Sequence, residues 1–418
     1  MEFENMSDVK VFNRWIVVAG AVIIQLALGT IYTWGVMTIF ISPYLGLPRE
    51  LTVFVFGVSL LAFGLTMIFS GQFQQRIGPR KATIIGGIIL AVGVISSAAM
   101  TTLIGLIITY GLLFGIGIGI CYVCPIATAQ KWFPDKKGLI SGIAVAGFGA
   151  GAFIFNYVIS ALAAFSIPVM FIILGVIYAV MILSGAFTLK LPPVDYRPPG
   201  WTPPPPTAGI SSGLDLTRNE TVRTKAFWLL WLMFTLSAIS GLLVIGSFAA
   251  FAKLTDSIGN PLYAISATDF VLLGGIAALF NALGRITWGK IADTLSYKKT
   301  MLIMFTVQGA FMIVYFFTNV SIPAFMALTC LIYFCFGGNF SLFPTATADL
   351  FGLKNVGANY GVVFSAYGIA GFIGATMVPA FYAAFGSYLL LFVTMGLMSF
   401  AATALTMVIK PPKAKTSA

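Results

Sequence analysis

"PIATAQKWF", Pro125 to Phe133, returns as "PTATADLF", Pro344 to Phe351, with prolines, alanines and threonines in register at an offset of 219 residues. The same offset links Gly119 to Gly338, Gly138 to Gly357 and Gly142 to Gly361. A second pair, "GQFQQRIGPRK" (Gly71 to Lys81) and "GKIADTLSYKK" (Gly289 to Lys299), repeats at an offset of 218. Self-similarity at about half the chain length describes a duplicated unit.

The contents of that unit follow from composition. The chain has 418 residues, of which 59% are hydrophobic and only 8% charged. A soluble domain of this length needs far more polar surface. The apolar runs are mostly about 20 to 25 residues long, enough for a helix to cross a hydrocarbon core of roughly 30 Å, and they lack the polar alternation of barrel strands. Twelve spans are expected, beginning near Trp15, Leu51, Ala82, Leu103, Gly138, Ile167, Phe227, Thr268, Thr300, Ile322, Gly357 and Ser387. The expected fold is therefore an all-α integral membrane protein of two pseudo-symmetric six-helix bundles, over residues 1–190 and 225–409. A linker, residues 191–224, joins them and a tail, 410–418, follows. The linker opens with "LPPVDYRPPGWTPPPPT", which reads as an extended polyproline spacer. The polar head "MEFENMSDVKVFNR" precedes a first span too long for a signal-peptide core, so the first helix is expected to stay in the membrane.

Charge sets the orientation. The N-terminus, the loops after even-numbered spans and the tail hold 20 of the 23 Lys and Arg residues; Arg49 and Lys253 lie on the other side and Arg285 within a span. By the positive-inside rule both termini face the cytoplasm, and the setting is a cell (cytoplasmic, inner) membrane. The net charge of +11 is a topological signal answered by anionic lipid headgroups, and no nucleic-acid partner is implied. The Cys121 and Cys124 pair sits inside a span of a chain without histidine. Small apolar packing is its reading, and no metal and no cofactor are assigned. Without a Walker-type phosphate loop, ATP hydrolysis is excluded as an energy source, and nothing points to an enzyme.

Arg285 carries the functional argument. If the eighth span continues through Gly289 to Asp293, Arg285 lies eight residues before its cytoplasmic end, about 12 Å at the helical rise and close to mid-membrane. Insertion of such a residue costs roughly 2.5–3.5 kcal/mol, so it faces a partner or a polar cavity. No acid lies at comparable depth. Asp256 and Asp269 fall toward the outside, Asp293 and Asp349 at cytoplasmic ends, and the first-half equivalent of Arg285 is Met67. The pattern points to an anion that arrives and leaves, docked on a guanidinium that stays charged at cellular pH. Asn281, one turn earlier, adds a hydrogen-bonding group, and Gly274 and Ala278 continue the stripe, as room for a ligand or as plain packing. Tyr122 and Tyr367 are expected at the depth of Arg285. Tyr32 and Tyr333 are expected nearer the outside, as girdle aromatics.

Two six-helix bundles with like motifs after the second and eighth spans resemble the major facilitator superfamily over essentially the entire chain. That resemblance implies a central site opened alternately to each side by rocking of the halves. It also implies a conformational latch at Gly71, Arg76, Gly78, Arg80 and Lys81 in the first motif and Gly289, Asp293 and Lys299 in the second. Gln75 stands where the superfamily has an aspartate, which weakens the first copy. "RWIVV...IYTWGV", "QKWFPDKKGLISG", "TKAFWLLW", "FNALGRITWGKIAD" and "SLFPTATADLFG...NYG" are similar to the prokaryotic oxalate:formate antiporter and monocarboxylate transporter branch. The resemblance implies that Arg285 engages a substrate carboxylate and that Tyr122 lines the site.

Two departures narrow the substrate. Oxalate exchangers of this branch carry a second cation, a lysine, where this chain has Tyr367, and animal monocarboxylate transporters carry an aspartate where it has Asn281. A single cation would leave a dianion with one buried unpaired charge, a cost of several kcal/mol, so a lactate-like or pyruvate-like monoanion fits better. Proton-linked symport is the reading the resemblance favours, with Asp256 or Asp269 as candidate proton carriers and anion exchange as the alternative. From another class, a membrane anion sensor without transport lacks any recognisable signalling domain here. A channel is disfavoured by the absence of a ring of like charges. A monomer is expected.

Overall fold

In the computed structural model the described residues are 13–133, 137–193, 196–198, 215–251, 267–352 and 355–412. Lys253, Asp256 and most of the proline-rich linker lie outside them. Among the described residues twelve helices are long and apolar enough to cross a membrane. We number them α1 (Arg14–Leu45), α2 (Arg49–Ile77), α3 (Pro79–Ala99), α4 (Leu103–Trp132), α5 (Lys137–Ala163), α6 (Ile167–Thr188), α7 (Lys225–Phe251), α8 (Ala267–Leu295), α9 (Tyr297–Thr318), α10 (Ile322–Phe351), α11 (Val356–Phe385) and α12 (Leu389–Val408). They fold as two six-helix bundles, α1–α6 and α7–α12.

Local chemistry marks the helix ends. Asn13 caps α1 by accepting from the Trp15 amide at 3.0 Å, and proline occupies the first turn of α3, α6 and α10, where its missing N–H costs nothing. Gly46 and Gly386 close α1 and α11 in the left-handed conformation. Several helices exceed the 20 to 25 residues of the apolar runs: α10 and α11 have 30 each, about 45 Å of helix against a core of about 30 Å. The polar repeat "GKIADTL", residues 289–295, continues α8 as helix instead of ending it.

The tight turn of each repeat is itself duplicated in conformation. Gly78 has φ 87° and ψ 152°, and Ser296, 218 positions later, has φ 80° and ψ 153°. That backbone region is essentially reserved for glycine, and Ser296 is the one non-glycine with positive φ among the described residues. The cation two residues on ties each turn to its own bundle. Arg80 lies 4.3 Å from the centroid of the Phe187 ring on α6, and Lys298 donates to the Met407 and Ile409 carbonyls at the end of α12.

The bundles meet along α2–α11 and α5–α8, and both seams part toward the side of the basic loops. On α2–α11, a Cβ on Gly57 would meet Ala375, one on Gly64 would lie 2.6 Å from the Gly368 Cα, and one on Gly361 would lie 3.1 Å from the Met67 carbonyl. At the next step, a Cβ on Gly71 or Gly357 would meet no described residue within 4 Å. On α5–α8, a Cβ on Gly149 would lie 3.1 Å from the Ala282 Cα, whereas one on Gly142, two turns nearer the basic side, would meet no described residue within 4 Å. On the opposite side α1 and α7 touch at Gly35 and Ile245, and Tyr388 of the second bundle donates to Glu50 of the first at 3.3 Å. This conformation is closed away from the basic loops.

The linker ends are fastened at pseudo-equivalent places. Trp132 at the end of α4 donates to the Lys190 carbonyl at 2.6 Å. At the matching end of α10, Phe351 accepts from the Leu216 amide at 2.9 Å, and Asn355 and Asn359 donate to the Leu216 carbonyl.

Candidate functional site

Arg285 projects from α8 between the two bundles and exposes only 3% of its surface. Its Nε donates to Asn281 Oδ1 at 2.9 Å, the i, i+4 neighbour on the same helix face. Its Nη1 donates across to the Val145 carbonyl of α5 at 3.1 Å. Below and beside it lie two rings, Phe340 with its centroid 3.9 Å from the guanidinium carbon and Phe148 at 5.4 Å. Hydrogen bonds to a charged group are each worth about 1.5–3 kcal/mol, comparable with the cost of inserting an arginine in a membrane. Among the described residues no carboxylate pairs with Arg285, and its Nη2 and the Asn281 Nδ2 have no hydrogen-bond partner. Both unpartnered groups are donors. The guanidinium holds two oxygen partners, has the Tyr32 and Tyr122 hydroxyls beside it, and keeps a bare Nη2 for the acceptors a carboxylate supplies.

The surrounding wall is aromatic and drawn from both bundles. Tyr122 lies on α4 just before Pro125, and Gln25 of α1 donates to the Tyr122 carbonyl at 2.9 Å. The Tyr122 ring packs edge-on against Phe148 at 5.2 Å and against Phe63 of α2 at 5.3 Å. From the other bundle Tyr367 packs on Phe364 at 4.9 Å and Phe340 at 5.4 Å. The structure therefore brings Arg285, Asn281, Tyr122 and Tyr367 together, as anticipated from depth.

Tyr32 belongs with them, contrary to the expectation of a girdle residue near the outside. Its hydroxyl lies 3.0 Å from that of Tyr367, and its ring lies 5.4 Å from Phe148. The reason is local. Helix α1 is 32 residues long and tightens to a 3₁₀ turn over Gly29–Thr33, so Tyr32 falls near its middle. Tyr333, likewise expected in the girdle, is 2% exposed and buried on α10. Gly274 leaves no room for a ligand, since a Cβ there would meet Asn156 Nδ2 at 2.8 Å and Val36 at 3.0 Å. Asn156 escaped the sequence reading; it is 1% exposed and its Oδ1 has no partner among the described residues.

The remaining candidates lie apart. Asp269 is exposed in the first turn of α8, 16 residues from Arg285, or about 24 Å along the helix. Asp256 is outside the described residues. Met67, the pseudo-equivalent of Arg285, is 2% exposed and contributes its carbonyl to the α2–α11 seam. A separate cleft of ≈ 140 Å³ lies at the basic end, among Gln74, Gln75, Gly78, Thr128, Lys131 and Leu191. It holds first-motif residues and none of the residues around Arg285.

Comparison with known proteins identifies the family. The family model for the Major Facilitator Superfamily matches residues 18–256 and again 242–418. An uncharacterized MFS-type transporter of Escherichia coli is 30% identical over 361 residues, covering 85% of each chain. The oxalate:formate antiporter of Oxalobacter formigenes is 28% identical over 90% of this chain and 86% of its own. Apicoplast pyruvate carrier 1 of Toxoplasma gondii is 25% identical over 84% and 81% respectively.

Proposed function

The chain belongs to the major facilitator superfamily, and from that premise we propose that it carries small monocarboxylate anions of the lactate or pyruvate type across a membrane by alternating access. The observation that carries this reading is the state of Arg285, buried to 3% exposure, without an acidic partner among the described residues, and with the Nη2 and Asn281 Nδ2 donors left over. A carboxylate takes both. Tyr32, Tyr122 and Tyr367 supply hydroxyls around it, and Phe148 and Phe340 an apolar wall for the alkyl part.

The charge count favours a monoanion. One cation neutralises one carboxylate; a dianion would keep a second charge unpaired in an aromatic cage. In this reading the basic loops lie in the cytoplasm, both termini are cytoplasmic, and the parted seams open the inward face in a cell membrane. The bundles 1–190 and 225–409 rock about the site, the linker 191–224 joins them, and the two motifs tune the cycle. Asp256 and Asp269 are the candidates for proton coupling, and Asp269 at about 24 Å acts on access to the site and not on the bound anion directly. Carboxylate exchange is the second reading, supported by the similarity to the oxalate:formate antiporter.

The test is uptake of labelled L-lactate into proteoliposomes under an inward proton gradient, with formate, acetate, pyruvate and oxalate as competitors. Saturable uptake inhibited by monocarboxylates supports the proposal. Uptake no faster than in protein-free vesicles, from protein verified to be folded and inserted, refutes it.

A further inference from the structure

Arg285 belongs to one bundle and Val145 to the other, and the bond between them crosses the divide that opens and closes during transport. The acceptor is a main-chain carbonyl on α5, in the stretch where the α5–α8 seam changes from contact at Gly149 to open space at Gly142. Together with Asn281 Oδ1 it gives the guanidinium two oxygen partners, one from each bundle, at 3.1 and 2.9 Å. The Phe340 face at 3.9 Å adds a third attraction. A carboxylate seated on the Nη1–Nη2 edge would take the Nη1 donor that the carbonyl now holds, together with the unpartnered Nη2.

We infer that the Val145 carbonyl stands in for the substrate carboxylate when the carrier is empty, so that the unloaded protein closes around Arg285 and resets without cargo. The inference rests on reading Arg285 as the carboxylate site. Its physical content is a comparison of two closed empty states. A guanidinium that surrendered its carboxylate and met no replacement would have to keep water around it, and closure would strip that water at high cost. Only loaded protein would then cross, and transport would be strict exchange. With acceptors waiting on both bundles, closure of the empty site leaves fewer donors bare. Net movement of substrate follows, and exchange is one mode of the cycle and not its limit.

Gly149 provides a handle outside the binding groups. A Cβ there would lie 2.9 Å from Asn281 Oδ1 and 3.1 Å from the Ala282 Cα. Gly149→Ala therefore pushes α8 away from α5 and lengthens the Arg285–Val145 bond. The substrate, which is mobile, adjusts to that shift; the fixed carbonyl does not.

The experiment uses the full-length protein in proteoliposomes preloaded with labelled L-lactate, at equal pH on both sides, with K⁺ and valinomycin clamping the voltage. Release is followed after dilution into lactate-free medium and into medium containing lactate, with protein-free vesicles as the baseline. The expected result is net efflux of the same order as exchange in the wild type. For Gly149→Ala, net efflux falls by about tenfold, the worth of one hydrogen bond to a charged group, while exchange persists. Wild-type protein that exchanges label yet shows no net efflux above baseline overturns the inference while leaving the carboxylate reading intact. A Gly149→Ala protein that slows both modes equally also overturns it. Absence of exchange with any carboxylate refutes the carrier reading, and this inference with it.

Discussion

Replacing Asn281 with Asp places an ionisable group on the atom that now orients Arg285. The bond from Nε to Oδ1 spans 2.9 Å between a cation and a neutral amide, and both residues are buried, at 3% and 0% exposure. Making both partners charged roughly doubles the worth of that contact, an added 1.5–3 kcal/mol or so in the empty protein. A substrate carboxylate must now compete with a resident one, and it loses that much binding free energy. The expected weakening of lactate binding at neutral pH is about 10- to 150-fold. The sign with pH follows. Bound lactate disfavours the ionised form of the introduced carboxyl, so the bound protein holds a proton there that the empty protein releases. Affinity therefore recovers as pH falls, and binding of lactate becomes linked to uptake of a proton at this position. The assay is lactate affinity by equilibrium titration from pH 5 to 8, set beside initial uptake rates across the same range. Unchanged affinity at neutral pH with an unmoved pH profile would show that Asn281 does not set the charge balance at Arg285, and the reasoning fails.

Two further outcomes are expected. Tyr367→Lys introduces a second cation into the site, and oxalate should then compete with lactate at least about tenfold better than in the wild type, the worth of one added charge-assisted contact; unchanged competition counts against the charge argument. Ser296→Gly removes a side chain from a backbone region that glycine alone occupies comfortably, as Gly78 already does in the first repeat. It should stabilise the protein by about 1 kcal/mol, seen as a raised unfolding midpoint in detergent with transport unaltered, and a lowered midpoint contradicts the strain argument.

Much of the architecture was legible because hydrophobic length and duplication act at low resolution. The twelve helices begin within a few residues of the expected positions, and the repeat offsets recur in three dimensions as matched turns at Gly78 and Ser296 and matched tethers at Arg80 and Lys298. Arg285 was legible because a mid-span cation without an acid at its depth is costly whatever the packing. Tyr32 was misplaced because depth was counted along a uniform helix of ordinary length, and α1 is longer and contains the Gly29–Thr33 turn. The Val145 carbonyl was invisible for a more basic reason: every residue carries one, and only the crossing of α5 and α8 selects it. Asn156 could have been noticed as a polar residue within "FIFNYV", yet its proximity to Gly274 depends on how the bundles meet. Helix identity resides in local sequence, whereas the lining of a site between two bundles is set by their docking.

The most direct measurement is the affinity of purified protein for L-lactate by isothermal titration calorimetry, wild type against Arg285→Gln, with folding of both checked by size-exclusion profile. The account predicts saturable binding to the wild type and at least about a hundredfold loss in the variant, because a neutral amide replaces the one cation facing the carboxylate. Equal affinity in the two proteins would contradict it.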